Sequence, residues 1–125
     1  MVDPRERVNA ERFEVNSTLP PDSIVKAGRL AAQSSKTTMT STVHEDRVAA
    51  DHVNYVVKGP GGFVTQMRMS VHWSDAVDGR RRVTLEIDEF KVIRQYYLSV
   101  IPGPRVIPAL KSLRKFSTLM REKLA

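Results

Sequence analysis

The chain has 125 residues and a mass of 14.1 kDa, which is room for one domain and little else. Hydrophobic residues at 41% and charged residues at 27% match ordinary globular usage, which argues against wholesale disorder, and a count of zero cysteines excludes disulfides, thiolate metal sites and cysteine nucleophiles. The formal charge of +6 is unevenly placed: residues 1–79 carry nine basic and ten acidic side chains, residues 80–125 eleven basic and four acidic.

The excess lies in Arg80, Arg81 and Arg82 and in Arg105, Lys111, Arg114, Lys115, Arg121 and Lys123. One reading is an anionic partner, either nucleic acid or a lipid surface; the other is a solvated helix face plus a basic turn. Few aromatic residues interleave with these charges, which weakens a case for stacking single-stranded bases. No run of about 18 apolar residues occurs, and Met1–Asn9 is charged where a signal peptide would be apolar, so a cytoplasmic protein without a transmembrane segment is expected.

In chain order, residues 1–9 read as a flexible polar arm and residues 10–125 as a single domain. Ala10–Thr18 alternates around Phe13 and Val15 as a half-buried strand. Leu19-Pro20-Pro21 stops it, and Asp22 or Ser23 caps a helix over Ser23–Gln33, whose buried face is Ile24, Ala27, Gly28, Ala31 and Leu30. Thr37–Arg47 is Thr- and Val-rich and reads as an exposed strand, an edge where a homodimer would form.

His52–Lys58, the turn Gly59-Pro60-Gly61-Gly62 and the long alternation from Phe63 to Trp73 predict a hairpin. Pairing the apolar faces places Val57 opposite Thr65, Tyr55 opposite Met67 and Val53 opposite Met69, which requires a loop of odd length. Val83, Leu85 and Ile87 continue the odd-numbered face, with a bulge near Asp88-Glu89. Residues 90–101 fit β propensity through Val92, Ile93, Tyr96, Tyr97, Val100 and Ile101, while Ile93, Tyr97 and Val100 also fit a helical stripe; a strand is favoured, ended by Pro102-Gly103-Pro104. Pro108 then opens an amphipathic helix with Ala109, Leu110, Leu113, Phe116, Met120 and Leu124 on one stripe.

A one-sided sheet needs a cover, and the helices supply it. The expected class is therefore α+β: a curved antiparallel sheet covered by a C-terminal amphipathic helix, in the order β-α-β-β-β-β-β-α. The entry Thr18-Leu19-Pro20-Pro21-Asp22-Ser23-Ile24, the strand Arg82-Val83-Thr84-Leu85-Glu86-Ile87 and the closing helix Pro108–Leu124 resemble the START and polyketide-cyclase-like superfamily. That resemblance implies a helix-grip fold that holds sterols, lipids, polyketides or other apolar molecules; a minority of its members are enzymes. The chain departs from the pattern by its short length and by having no tryptophan in the first helix.

Searching for chemistry returns little. G-x-S-x-G and H-E-x-x-H are absent, and the glycine turn lacks the Lys-Ser or Lys-Thr of a phosphate loop. His44, Glu45, Asp46, Asp51 and His52 could meet at a divalent ion or form a polar connection between strands, and the second reading is favoured. No acid–base pair is visible and no cofactor is implied. Hence the first expectation is a noncatalytic module that binds a small apolar or lipid-like ligand through Tyr55, Met67, Met69, Trp73, Leu113 and Phe116. The alternative is an interaction or assembly protein with a closed core, meeting an anionic partner through its basic C-terminal half.

Overall fold

The alternating segments form the centre of the molecule. In the computed structural model, which describes residues 3–35, 41–97 and 101–125, ten regular elements follow one another. They are α1 (Pro4–Asn9), β1 (Phe13–Ser17), α2 (Pro21–Ser34), β2 (Thr42–Val48), β3 (His52–Lys58), β4 (Thr65–Trp73), β5 (Arg81–Phe90), β6 (Ile93–Tyr97), β7 (Ile101–Val106) and α3 (Leu110–Leu124), with a short 3-10 turn at Pro60–Gly62. Strands β1 to β5 make one antiparallel sheet in the order β1-β5-β4-β3-β2, and β6 and β7 pair as a separate ribbon. The chain thus leaves one sheet edge at β1, crosses through α2 to the opposite edge at β2, and meanders back until β5 lies beside β1.

The odd-numbered side chains Val53, Tyr55, Val57, Met67, Met69, Val71, Trp73, Val83, Leu85 and Ile87 are all buried, as the two-residue period requires. On α3 the buried set is Leu113, Phe116, Met120 and Leu124, spaced three and four residues apart as one helical face. Helices α2 and α3 pack on each other, α2 also on β2 and α3 also on β1, so both cover the same side of the sheet. The architecture is the expected α+β arrangement.

Three irregularities tune the register. Val57 pairs with Met67, Tyr55 with Met69 and Val53 with Val71, so the apolar faces meet as expected but two residues further along β4. The connection Gly59–Val64 is even in length, and Gln66 is an extra residue between Lys58↔Thr65 and Val57↔Met67. One bulged residue changes the parity back, which is how an even loop satisfies a rule that called for an odd one. Gln66 is itself buried, accepts a hydrogen bond from Ser41 Oγ at 2.6 Å, and lies over Gly59, where a Cβ would stand 2.7 Å from Gln66 Nε2. The bulge expected near Asp88-Glu89 is present, with Asp88 unpaired between Met69↔Ile87 and Arg68↔Glu89. On the edge strand β2, Asp46 is unpaired between Glu45↔Tyr55 and Arg47↔Asn54.

Several expectations are corrected. The polar arm contains a helix: Asp3 caps α1 by accepting from Arg5 N at 2.8 Å, and Val8 is 1% exposed within the main core. In α2, Pro20 takes the cap position with Pro21 in the first turn, so neither Asp22 nor Ser23 caps it; Leu30 is 44% exposed while Ala32 joins the buried face. Proline at the first helical position removes a donor that would otherwise be orphaned, which makes the side-chain cap dispensable. The strand expected over 90–101 is divided between the end of β5, β6 and the start of β7, and Pro102-Gly103-Pro104 lies inside β7 rather than ending an element. A two-stranded ribbon has only edges, which accept proline wherever its N–H would have faced away from the partner strand. Residues 37–40 of the expected Thr37–Arg47 strand, and Val100 with its neighbours 98 and 99, lie outside the described residues, as do Met1, Val2 and Lys36.

Candidate functional site

Strands β3, β4 and α3 bring the six expected ligand-binding side chains into one cluster. Tyr55 (1% exposed), Met67, Met69, Leu113 and Phe116 (each 0%) and Trp73 (8%) all belong to it. The rings of Tyr55 and Phe116 meet edge to face, with centroids 4.8 Å apart and planes at 85°. Zero accessibility to a water-sized sphere means that no void of that size adjoins Met67, Met69, Leu113 or Phe116, because such a void would itself expose surface. The side chains fill the space between sheet and helix with each other. Ser112 Oγ, at the start of α3, is the one buried side-chain polar atom without a hydrogen-bond partner among the described residues.

Tyr55 reaches across the core toward α2. Its hydroxyl stops above Gly28, where a Cβ would lie 1.9 Å from the oxygen. At the same edge Arg29 and Glu45 form a two-point pair, Nε to Oε2 at 2.6 Å and Nη2 to Oε1 at 3.1 Å, tying α2 to β2. The hydrogen bond from Arg29 to Glu45, with the attraction between their charges, raises the guanidinium above its ordinary value. Burial pushes the Tyr55 phenol well above its ordinary value of 10.0; the Glu45 carboxylate adds to this and Arg29 opposes it.

A raised acid of this kind has a defined linkage. Below the unfolded-state value both states keep the proton and folding is unaffected; above it the unfolded chain ionises while the folded one does not, so stability falls as pH rises through about 10 toward the folded value. A stepwise alkaline titration followed by phenolate absorbance should show Tyr55 ionising only together with loss of the folded signal. A Tyr55→Phe protein should lose that component. Smooth ionisation of Tyr55 in the folded state would contradict the packing described above.

No protein-family model, curated protein or solved structure matches this chain.

The solvent face of the sheet is polar and internally paired. His52 and His72 stack across β3 and β4 with centroids 5.0 Å apart; His52 Nδ1 lies 2.7 Å from Asp51 Oδ1, and His72 Nε2 2.9 Å from Ser70 Oγ. The hydrogen bond from His52 holds the Asp51 carboxyl below its ordinary value. Among the described residues no three histidine, aspartate or glutamate groups are placed to hold a metal ion, and His44 instead meets Thr42 Oγ1 at 2.7 Å. Arg68 bonds Glu89 at 3.0 Å, and Arg82 pairs with Glu14 at 2.8 Å.

The basic C-terminal half divides into two groups. Arg82 is paired as above, Arg81 donates to the carbonyls of Leu19 and Ser74, and Arg114 pairs with Glu11. Arg121 donates to the Arg12 carbonyl at 2.9 Å and lies 5.7 Å from the Phe13 ring centroid, so it keeps a net charge while being held in place. Lys111, Lys115 and Lys123 are exposed on α3 with no ion pair among the described residues. The outer surface of α3 thus presents Lys111, Lys115, Arg121 and Lys123 against a single unpaired acid, Glu122.

Among the described residues no helix is long and apolar enough to cross a membrane. Sequence reasoning located the core cluster and the α3 cations, and missed the Gly28–Tyr55 contact. The signal for that contact was a glycine on the buried face of α2, read only as a small residue.

Proposed function

We propose that the protein is a noncatalytic interaction module that meets an anionic partner through the outward surface of α3. The supporting observation is the set Lys111, Lys115, Arg121 and Lys123, solvent-exposed and without an ion pair among the described residues, on a domain whose sheet–helix space is filled. A structural surface normally intersperses both signs of charge in similar number, and on α3 these four cations stand against one exposed acid, Glu122. The closed packing favours this reading over capture of an apolar ligand, which would have to displace Met67, Met69 or Phe116 from positions they fill completely.

The test is binding to a short RNA duplex and to anionic vesicles across a salt series. Binding should weaken steeply as salt rises, because released counterions drive it. The triple charge reversal Lys111→Glu, Lys115→Glu and Lys123→Glu should lower affinity at least ~10-fold with the melting temperature nearly unchanged, since each side chain is exposed and unpaired. A flat salt response, or full binding by the reversed protein, would remove this function.

A further inference from the structure

Seven large hydrophobic side chains are exposed among those described, and four of them collect at one end of the sheet: Phe63 (92%), Val64 (48%), Val92 (38%) and Ile93 (50%). The strand register places them there. Gly59 N bonds the Val64 carbonyl at 2.8 Å, closing the β3–β4 turn, and Lys91 N bonds the Gln66 carbonyl at 2.9 Å, bringing the chain after β5 beside the base of the same turn. Gly61 and Gly62 both have positive φ, 79° and 75°, and a Cβ on Gly61 would come 3.0 Å from the Phe63 ring. The turn is therefore a shape that glycine permits, with the Phe63 ring resting against bare backbone and otherwise turned to water.

Cations flank the exposed apolar side chains at this end. Lys91 and Arg94 are exposed, flank Val92 and Ile93, and form no ion pair among the described residues. The start of α3 is anchored to the same end through Ser41, whose Oγ bonds both Gln66 and the Pro108 carbonyl, so Lys111 stands one turn away. Of the acids nearby, Glu89 is paired with Arg68, while Asp88, which accepts from Ser70, and Asp3, the α1 cap, keep their charge. By contrast, the exposed Val77 sits in the turn at the other end of the sheet between Asp75 and Asp78.

We infer that this end of the molecule docks on an anionic lipid surface, with Phe63 and Val64 entering the interfacial layer and Lys91, Arg94 and Lys111 facing the headgroups. An aromatic and an aliphatic side chain exposed on a turn, with Lys91 and Arg94 in the chain beside it, combine the two terms that hold a protein on a bilayer: burial of apolar side chains and attraction to anionic lipid. A nucleic acid would use the charge but offers nothing to two valines and an isoleucine, and one ring is too few for a stacking platform. A stable protein partner needs about 800 Å² per side, more than a single turn and the chain beside it supply. The inference rests on the anionic-partner reading and names the partner.

Co-sedimentation with phosphatidylcholine vesicles containing about 30% phosphatidylserine tests it, with pure phosphatidylcholine vesicles and an RNA duplex as parallel arms. The double variant Phe63→Ser, Val64→Ser should bind the anionic vesicles at least ~10-fold more weakly while its RNA binding and melting temperature stay as in the parent, because exposed side chains add little to folding. Undiminished vesicle binding by that variant overturns the docking turn and leaves the proposed function standing. Equal binding of the parent to pure phosphatidylcholine overturns the electrostatic half. RNA binding without vesicle binding overturns the lipid partner, and binding to neither overturns both readings together.

Discussion

Replacing Phe116 by alanine should cost about 3–5 kcal/mol, a large part of the stability a domain of this size possesses. The residue is wholly buried, meets the Tyr55 ring edge to face, and sits in the α3 face that closes the core. Its removal forfeits both the transfer of the ring from water and the contacts around it, and the sheet can collapse only partly into the space. Urea unfolding monitored by circular dichroism measures the loss. The same variant bears on the ligand expectation from sequence. An apolar cavity of this origin stays dry and accepts benzene-sized molecules, so benzene should raise the melting temperature of Phe116→Ala and leave the parent unchanged. A parent protein stabilised by such a molecule would show that the space between sheet and α3 opens in solution, and would restore the apolar-ligand reading.

Gly28→Ala should be destabilising by about 1–3 kcal/mol, although alanine is the better helix former by about 1 kcal/mol. The added Cβ would overlap the Tyr55 hydroxyl at 1.9 Å, and Tyr55 cannot swing aside because its ring is held by Phe116 and buried on all sides. Tyr55→Phe in the same chain removes the overlapping oxygen but leaves the ring carbon Cζ at 3.0 Å, so rescue should be partial. The interaction term from the double-mutant cycle isolates the contact. Additive effects in that cycle would mean that α2 does not approach β3 as described.

Much of this was legible in the sequence because it depends on period alone. Within β3, β4 and β5 the odd-numbered residues Val53 to Val57, Met67 to Trp73 and Val83 to Ile87 face the core, and the Leu113, Phe116, Met120 stripe covers them, since alternation and a three-to-four spacing leave few other solutions. The missing parts are those that period does not encode. A two-residue slip along β4 preserves every face, so only the bulge at Gln66 distinguishes the two registers, and that bulge is held by Ser41, distant in sequence. The helix at Pro4–Asn9 is too short to show a stripe; a cap at Asp3 and the buried Pro4 and Val8 define it. The division of residues 90–101 between β5, β6 and β7 follows from a fold-back that β propensity cannot signal. The candidate docking turn was read as a hairpin turn and nothing more, because exposure of Phe63 becomes visible only when the rest of the odd-numbered face is seen to be buried.

The outermost strand has a consequence for handling the protein. Strand β2 is bent by the unpaired Asp46, and His44, Asp46 and Arg47 along it are exposed to solvent. A kinked, charge-bearing rim is a poor template for another molecule's backbone, so concentrated preparations should resist cross-β propagation from that flank.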